Sequence, residues 1–253
     1  MTKIKTRVGV AAIFATGVVG AGVPIAARAV TYATLIKEAR AGRKQAAREI
    51  LRGAQAGNPV AELAAGIIYH EGLSLPQNET KAVYWYRKAA VRGSASAENN
   101  LGVAYHDGRG VTRNYSLAAY WFRKAAEQGL AAAEYSLGYA YGHGLGVGQS
   151  FSEAIYWWRK AAAQGEASAE YGLGAGYARG LGVPQSYGKA VYWWRKAAAQ
   201  GEMYAELNLG YAFALGHAVT KNYRKAAYWW KKAAAQGNAS AVQDLRVLRR
   251  DEQ

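Results

Sequence analysis

Few side chains of this 253-residue protein have the chemistry of a catalyst or a metal ligand. The absence of cysteine excludes disulfides, thiolate metal sites and a cysteine nucleophile. Two of the four histidines, His70 and His106, occupy matching positions of a repeat, with Glu71 and Asp107 beside them. A metal ion needs three or four converging ligands with supporting hydrogen bonds. Two histidines with one acid each are too few, so we predict no metal site.

The segment Gly144–Gly148 is the closest approach to a nucleotide-binding loop. It lacks the Lys-Ser/Thr ending and the preceding strand that a phosphate-binding loop requires. No Ser-His-Asp spacing, paired-carboxylate motif or activated nucleophile stands out elsewhere in the sequence. The sequence therefore predicts a protein that is not an enzyme and has no cofactor.

Aromatic triplets followed by basic pairs recur along the chain, as in Tyr84-Trp85-Tyr86-Arg87-Lys88. Such residues can bind nucleic acid by base stacking and phosphate contacts. On a helix, however, consecutive residues point about 100° apart, so the three aromatics cannot form one stacking platform. We favour a structural role, in which they contact the partner helix, the next repeat and part of the convex surface. An acidic row could pair with some of the cations: Glu62, Glu98, Glu134, Glu170 and Glu206.

The charge of the chain points to an acidic partner. The formal net charge is +15, and without the four basic residues among residues 1–29 it is still 28 − 17 = +11. Such a surface attracts acidic proteins, anionic lipid head groups, acidic polysaccharide or nucleic acid. The net charge predicts the sign of the partner's charge and leaves the identity of the partner open.

The first 29 residues are typical of an export signal. Lys3, Lys5 and Arg7 precede an uncharged run over residues 8–27, which ends in small residues spaced as Ala27-x-Ala29. This order predicts a secretory signal peptide cleaved after Ala29. One alternative is an uncleaved membrane anchor formed by residues 8–27, although four glycines make this run only weakly hydrophobic. The other alternative is a cytosolic protein. With a signal peptide or an anchor, residues 30–253 would lie outside the cytoplasm.

The fold follows from self-similarity at a period of 36 residues. Tryptophan, glycine and Leu-Gly rows all share this period. Their members are Trp85, Trp121, Trp157, Trp193 and Trp229; Gly57, Gly93, Gly129, Gly165, Gly201 and Gly237; and Leu101-Gly102, Leu137-Gly138, Leu173-Gly174 and Leu209-Gly210. Agreement of so many positions predicts a solenoid of repeated units.

Each unit is predicted to fold as two helices joined by a glycine-rich turn. The first helix, for example Ala95 to His106, is rich in alanine and carries Leu101 and Tyr105 on one face. The turn glycines suit the left-handed backbone that ends a helix. The second helix begins at a good capping residue: Asn78, Asn114, Ser150, Ser186 or Asn222.

These two helices resemble a known family. The patterns Ala-x-x-x-Leu-Gly-x-x-Tyr, from Ala97 to Tyr105, and Ala-x-x-Trp-x-x-Lys-Ala-Ala-x-x-Gly, from Ala82 to Gly93, are similar to the Sel1-like repeat (SLR), a relative of the tetratricopeptide repeat. The resemblance covers about residues 58–250 and implies a right-handed α/α superhelix used for protein–protein interaction, in bacteria often as a periplasmic or secreted adaptor. A cysteine-rich branch of the family is linked to penicillin binding, and its chemistry does not carry over to a chain without cysteine.

The predicted fold class is therefore all-α, a right-handed α/α superhelix of about five 36-residue helix-turn-helix repeats. The repeats are assigned to residues 58–237. Residues 30–57 and 238–253 are predicted to form the N-terminal and C-terminal capping helices, because the ends of a solenoid need a polar outer face.

By the same resemblance, the first-helix positions two before and two after the leucine of Leu-Gly face a concave groove. These residues vary between repeats, as a groove that recognises one ligand would require, and four are tyrosines, which give rigid contact area at low entropic cost. Alternatively, these tyrosines only pack against the neighbouring first helix. His106 and Arg179 are placed at the groove edge. The predicted partner-binding residues are Asn99, Val103, His106, Tyr135, Tyr139, Tyr171, Arg179, Leu207 and Tyr211.

The sequence favours an exported scaffold or adaptor, periplasmic or secreted in a bacterium, that binds a protein partner in this groove. One alternative is a module that binds envelope polysaccharide or another anionic surface. The other is a secreted effector that acts on host proteins.

Overall fold

The computed structural model describes residues 25–251, and these form thirteen α-helices with no strand among them. The helices are α1 Ile25–Arg40, α2 Lys44–Gln55, α3 Pro59–Glu71, α4 Glu79–Ala90, α5 Ala95–Asp107, α6 Tyr115–Glu127, α7 Ala131–His143, α8 Phe151–Ala163, α9 Ala167–Arg179, α10 Tyr187–Ala199, α11 Met203–Leu215, α12 Tyr223–Ala235 and α13 Ala239–Asp251. The first helices of the repeats are α3, α5, α7, α9 and α11, and the second helices are α4, α6, α8, α10 and α12. The predicted all-α fold of helix-turn-helix repeats is confirmed.

Most of the predicted signal segment lies outside the described residues, so cleavage after Ala29 and the alternative anchor over residues 8–27 stay predictions. The described part, from Ile25, belongs to α1, and the predicted cleavage point falls within this helix. Among residues 25–251, no helix combines the length and the apolar character needed to cross a bilayer.

The second helices begin where the capping residues predict. The Asn78 side chain accepts a hydrogen bond from the Lys81 backbone N–H at 2.9 Å, and Asn222 does the same for Lys225. Asn114, Ser150 and Ser186 cap α6, α8 and α10 in the same way. Each bond satisfies a backbone donor that the first turn of a helix leaves unpaired.

The chain divides into two compact units. Among the described residues, unit 1 comprises residues 25–133 with 145–147, and unit 2 comprises residues 134–144 with 148–251. The core of unit 1 is built around Ile36, Ile50, Ile68 and Leu101. The core of unit 2 includes Leu173, Trp194, Leu209 and Trp230.

The glycine of the Leu-Gly pair lets the two helices of a repeat approach closely. A Cβ on Gly174 would lie 2.3 Å from Cδ1 of Trp194, and one on Gly210 would lie 2.2 Å from Cδ1 of Trp230. Both distances are far below van der Waals contact, so only glycine leaves room for the third aromatic ring of the triplet. The mid-helix glycine is therefore a packing requirement, despite its low helix propensity.

Candidate functional site

The acidic row lies in the core. Its pairing with some of the second-helix cations, which the sequence suggested, is present in the structure. In unit 2, Glu170 is 1% exposed and lies 2.9 Å from the Lys196 ammonium, while Gln200 donates a hydrogen bond to it at 2.9 Å. Glu134 is paired in the same way with Lys160 and Gln164. Glu206 is paired with Lys232 and Gln236. In these three repeats the second residue of the basic pair is therefore committed to the fold.

Unit 1 varies this arrangement. The Glu62 carboxylate lies 3.7 Å from both Lys88 and Arg92. Burial raises the pKa of Glu98, and Lys124 and the hydrogen bond from Gln128 lower it. Because buried carboxylates are costly unless paired, these contacts are structural before they are functional.

The aromatic triplets point in three directions, as predicted. The first ring is exposed, with Tyr84, Tyr156 and Tyr192 at 54%, 54% and 57%. The second ring lies under a lysine, as Trp157 lies 4.7 Å from the Lys160 ammonium. The third ring is buried, as for Trp194. One exposed tyrosine per triplet is a poor stacking platform for successive bases.

The predicted groove residues of unit 1 offer little surface. Asn99 and Val103 are each only 6% exposed, and both belong to the buried face of α5. His106 is partly exposed, and its Nδ1 lies 2.7 Å from Oδ1 of Asp107. The other oxygen of this carboxylate, Oδ2, accepts a hydrogen bond from Arg109. No group of three or more candidate metal ligands converges within residues 25–251.

In unit 2 three predicted tyrosines belong to two ring pairs, and Tyr171 of one pair is near enough to Tyr135 of the other to raise its pKa. Tyr135 and Tyr139 of α7 have ring centroids 6.4 Å apart, and Tyr139 stacks on His143 at 4.0 Å. Tyr171 of α9 lies 5.9 Å from the ring of Tyr204 at the start of α11. We call Tyr135, Tyr139, Tyr171 and Tyr204 the tyrosine cluster.

The rings of this cluster are both packed and accessible. Tyr135 and Tyr171 contact the cores of their repeats while keeping part of each side chain exposed. Packing against the neighbouring helix and a binding role are therefore compatible. Buried edges hold the rings in place, and the exposed parts form a rigid amphipathic surface.

The charges around the cluster are of both signs. Burial, followed by the nearby Tyr139, Glu202 and Glu166, raises the pKa of Tyr135. Burial and Glu202 raise the pKa of Tyr171, whereas Arg179 lowers it. The cluster is thus not itself a basic surface, although the chain as a whole is strongly basic.

The remaining predicted residues lie on α11 and at the end of α9. Leu207 and Tyr211 pack against the core that contains Phe213 and Trp230. The Tyr211 hydroxyl donates a hydrogen bond to Oδ2 of Asp244 at 2.7 Å. Arg179 is exposed.

Sequence reasoning missed Tyr204, Asn208 and Asp244. The Asn208 side chain lies near the Tyr171 hydroxyl and lowers its pKa, and Tyr204 is 37% exposed. The available signal was departure from the repeat, because Tyr204 stands where other repeats have Ser168, Ala132 and Ser96.

We expect the protein to lose stability as the pH rises from about 10 to about 12. Burial and the hydrogen bond to Asp244 raise the pKa of Tyr211 to about 12, above the value near 10 of an unfolded tyrosine. The protonated Tyr211 hydroxyl therefore contributes to the free energy of unfolding. This contribution is complete below a pH of about 10 and is lost as the pH rises through the folded-state pKa. Thermal unfolding followed by circular dichroism across this range should show the loss. An equally steep decline in a Tyr211→Phe variant would contradict this assignment.

Comparison with known proteins identifies the repeat. The Sel1 repeat family matches residues 59–94, 95–130, 131–166, 167–202 and 204–238. A Sel1 repeat protein from Oxalobacter formigenes is 34% identical, with a TM-score of 0.79 over 85% of this chain and 86% of that protein. No curated protein sequence matches the chain.

Two further solved structures are similar. A protective antigen of uropathogenic Escherichia coli strains, which displays an SLR fold, is 34% identical with a TM-score of 0.74. The match covers 88% of this chain but only 50% of that antigen, so the chain spans about half of its length. An immunity protein from Pseudomonas aeruginosa shares the fold at 18% identity, with a TM-score of 0.53 over 81% of each chain. The chain therefore belongs to the Sel1 repeat family, whose members typically mediate protein–protein interactions.

Proposed function

We propose that this protein is an exported scaffold or adaptor that binds a protein partner through the tyrosine cluster of unit 2. Members of its family are generally non-enzymatic scaffolds. The observation that carries the proposal is two pairs of tyrosine rings, Tyr135 with Tyr139 and Tyr171 with the additional Tyr204, with Tyr171 near enough to Tyr135 to raise its pKa. Tyrosine is enriched at energetic hot spots because it combines apolar area, a polar end and few rotatable bonds.

The environment of the cluster supports a protein segment as its ligand. The rings provide apolar area, the hydroxyls and Asn208 provide hydrogen-bonding groups, and Glu202 and Arg179 provide opposite charges near Tyr171. The contacting segment should therefore bring apolar side chains and backbone groups to the rings. The +11 charge of residues 30–253 would attract an acidic partner from a distance, which raises the association rate more than the affinity.

A pull-down from bacterial envelope extract tests the proposal. The full chain is compared with a Tyr135→Ala, Tyr139→Ala, Tyr171→Ala variant whose helicity is verified by circular dichroism. Loss of two or more hot-spot side chains should reduce capture of a protein partner at least about tenfold.

A second triple variant is the matched control. Tyr156→Ala, Tyr223→Ala, Tyr228→Ala removes the same number of tyrosines from the same unit, at exposed second-helix positions. Capture should survive in this control. Equal loss in both variants, or in neither, would disprove the role of the cluster. Retention of acidic polysaccharide without any protein would overturn the scaffold proposal itself.

The proposed location has its own test. Expressed in a Gram-negative bacterium, the protein should fractionate with the periplasm or the medium, with Val30 as its first residue, because the signal is predicted to end at Ala29. N-terminal sequencing of the fractionated protein makes the measurement. An intact N-terminus in the membrane fraction would instead support the anchor, and one in the cytosol would refute export.

A further inference from the structure

Unit 2 contains a second candidate site, a surface cleft of about 430 Å³ beside α10. Its lining includes Gly188, Val191, Tyr192 and Arg195 of α10, with Ala218 and Val219 of the turn between α11 and α12. None of these residues belongs to the tyrosine cluster. The cleft has an apolar floor, an aromatic ring and a cation, and no acidic residue lines it.

The cleft occurs where the sequence departs from its own repeat. The turn residue at this position is Gly110, Gly146 and Gly182 in the second, third and fourth repeats, but Ser74 in the first and Ala218 in the fifth. A Cβ on Gly182 would lie 2.5 Å from the backbone of Phe151, the first residue of α8. Ala218 carries a Cβ and has a φ of 55°. If its turn lay as close to α10 as the Gly182 turn lies to α8, this Cβ would clash with the backbone at the start of α10.

A second departure enlarges the same place. Gly188 stands where earlier repeats have Thr80, Ser116 and Ser152. It therefore contributes no side chain to the space beside the turn, and only the Ser186 side chain lies within 4 Å of where its Cβ would be. Two small changes, one in the turn and one in the helix, thus open one cleft.

A third departure leaves the cation of the cleft without its usual partner. Arg87 and Arg159, at the equivalent positions, donate hydrogen bonds at 3.0 Å to the hydroxyls of Tyr105 and Tyr177 in the next repeat. The residue equivalent to these tyrosines is Phe213, which has no hydroxyl. Arg195 is exposed and makes no hydrogen bond or ion pair with any residue in the described part of the chain.

We infer that this cleft binds an acidic segment of a protein, with a Glu or Asp carboxylate on the Arg195 guanidinium and an adjacent apolar side chain against Val191 and Val219. Guanidinium pairs with carboxylate through two parallel hydrogen bonds, which fixes the orientation of the ligand. The Tyr192 ring, 57% exposed, borders the cation and adds contact area. Lys196 contributes positive potential but is held by Glu170 at 2.9 Å. The inference extends beyond the proposed function, because the cleft and the tyrosine cluster share no residue and can be tested separately.

NMR titration of the full chain, observing arginine side-chain Nε–H groups, tests this site directly. The probe is the capped peptide acetyl-Leu-Glu-Leu-amide, with acetyl-Leu-Gln-Leu-amide as the uncharged match and inorganic phosphate as a separate arm. The charged peptide should shift the Arg195 signal and bind about tenfold more tightly than the glutamine peptide, because a charge-assisted bond is lost in the latter.

Three variants make the test specific. Arg195→Gln removes the cation, and Phe213→Tyr supplies the hydroxyl that Arg87 and Arg159 use. Each should weaken peptide binding, by about tenfold for Arg195→Gln. Arg159→Gln, at the equivalent position of the preceding repeat, is the matched control and should bind like the native protein. Circular dichroism verifies folding of all three.

The inference is overturned if the Arg195 signal does not move at millimolar peptide, or if Arg159→Gln weakens binding as much as Arg195→Gln. It is also overturned if phosphate binds as tightly as the charged peptide, which would make the cleft a general oxyanion site. The inference is supported if Arg195→Gln and Phe213→Tyr weaken peptide binding while Arg159→Gln binds like the native protein.

Discussion

A Gly210→Val variant should unfold with a free energy lower by about 1–3 kcal/mol or more. The added Cβ would lie 2.2 Å from Cδ1 and Nε1 of the Trp230 ring, which is itself only 6% exposed. Since the ring is packed in a core cluster, the helices α11 and α12 must separate or the side chains must leave their preferred rotamers. Urea unfolding followed by circular dichroism measures the loss.

Gly148→Val is the control for the added side-chain volume. Gly148 has no atom within 4 Å of its hypothetical Cβ and does not adopt a positive φ. Its replacement should change the free energy of unfolding by no more than about 0.5 kcal/mol. A Trp230→Leu change should also relieve much of the Gly210→Val penalty. If the two glycine variants are equally stable, contact with Trp230 is not what requires glycine at position 210.

A Lys232→Met variant should lose about 1–3 kcal/mol of stability. Glu206, 1% exposed, would lose the ammonium 3.2 Å away and retain only the hydrogen bond from Gln236 at 2.8 Å. Because the lysine side chain is 41% exposed, we expect a smaller loss of stability than for a fully buried ion pair. Thermal and urea unfolding of the full chain provide the measurement.

Lys231→Met is the adjacent control in the same helix. Lys231 is exposed, and it has no ion pair within the described part of the chain. Its replacement removes the same charge and should change stability by no more than about 0.5 kcal/mol. Adding Glu206→Gln to Lys232→Met should restore part of the lost stability, since the unpaired charge is then absent. Equal effects of the two lysine variants would show that net charge, and not pairing with Glu206, is what matters.

Much of the fold could be predicted from local sequence signals. Asn78 and its equivalents cap the second helices because a side-chain oxygen can reach the N–H three residues later without help from distant parts of the chain. The glutamate and lysine rows share one period, so their pairing followed from repetition as well as from charge. The periodicity likewise predicted helix pairs packed on their neighbours.

The candidate sites could be predicted only in part. The positions of Tyr135, Tyr139 and Tyr171 were marked by their variation between repeats, and the structure brings them together in unit 2. The same rule marked Asn99 and Val103, which are buried, because exposure depends on which neighbouring side chains cover a position. Tyr204 and Asn208 join the cluster from another helix, α11. Tyr204 departs from its repeat row, but that departure does not show that its ring contacts Tyr171.

The sequence by itself determined the repeat, the helix pairs, the caps and the ionic rows, because each depends on residues at a fixed spacing within one period. Only the tertiary structure decided which tyrosines remain accessible and where a cleft opens. The changes at Gly188, Phe213 and Ala218 are unremarkable one by one in the sequence. They act together because packing places a helix and a turn from successive repeats side by side. Distances between non-adjacent side chains are set by that packing, and a linear pattern does not contain them.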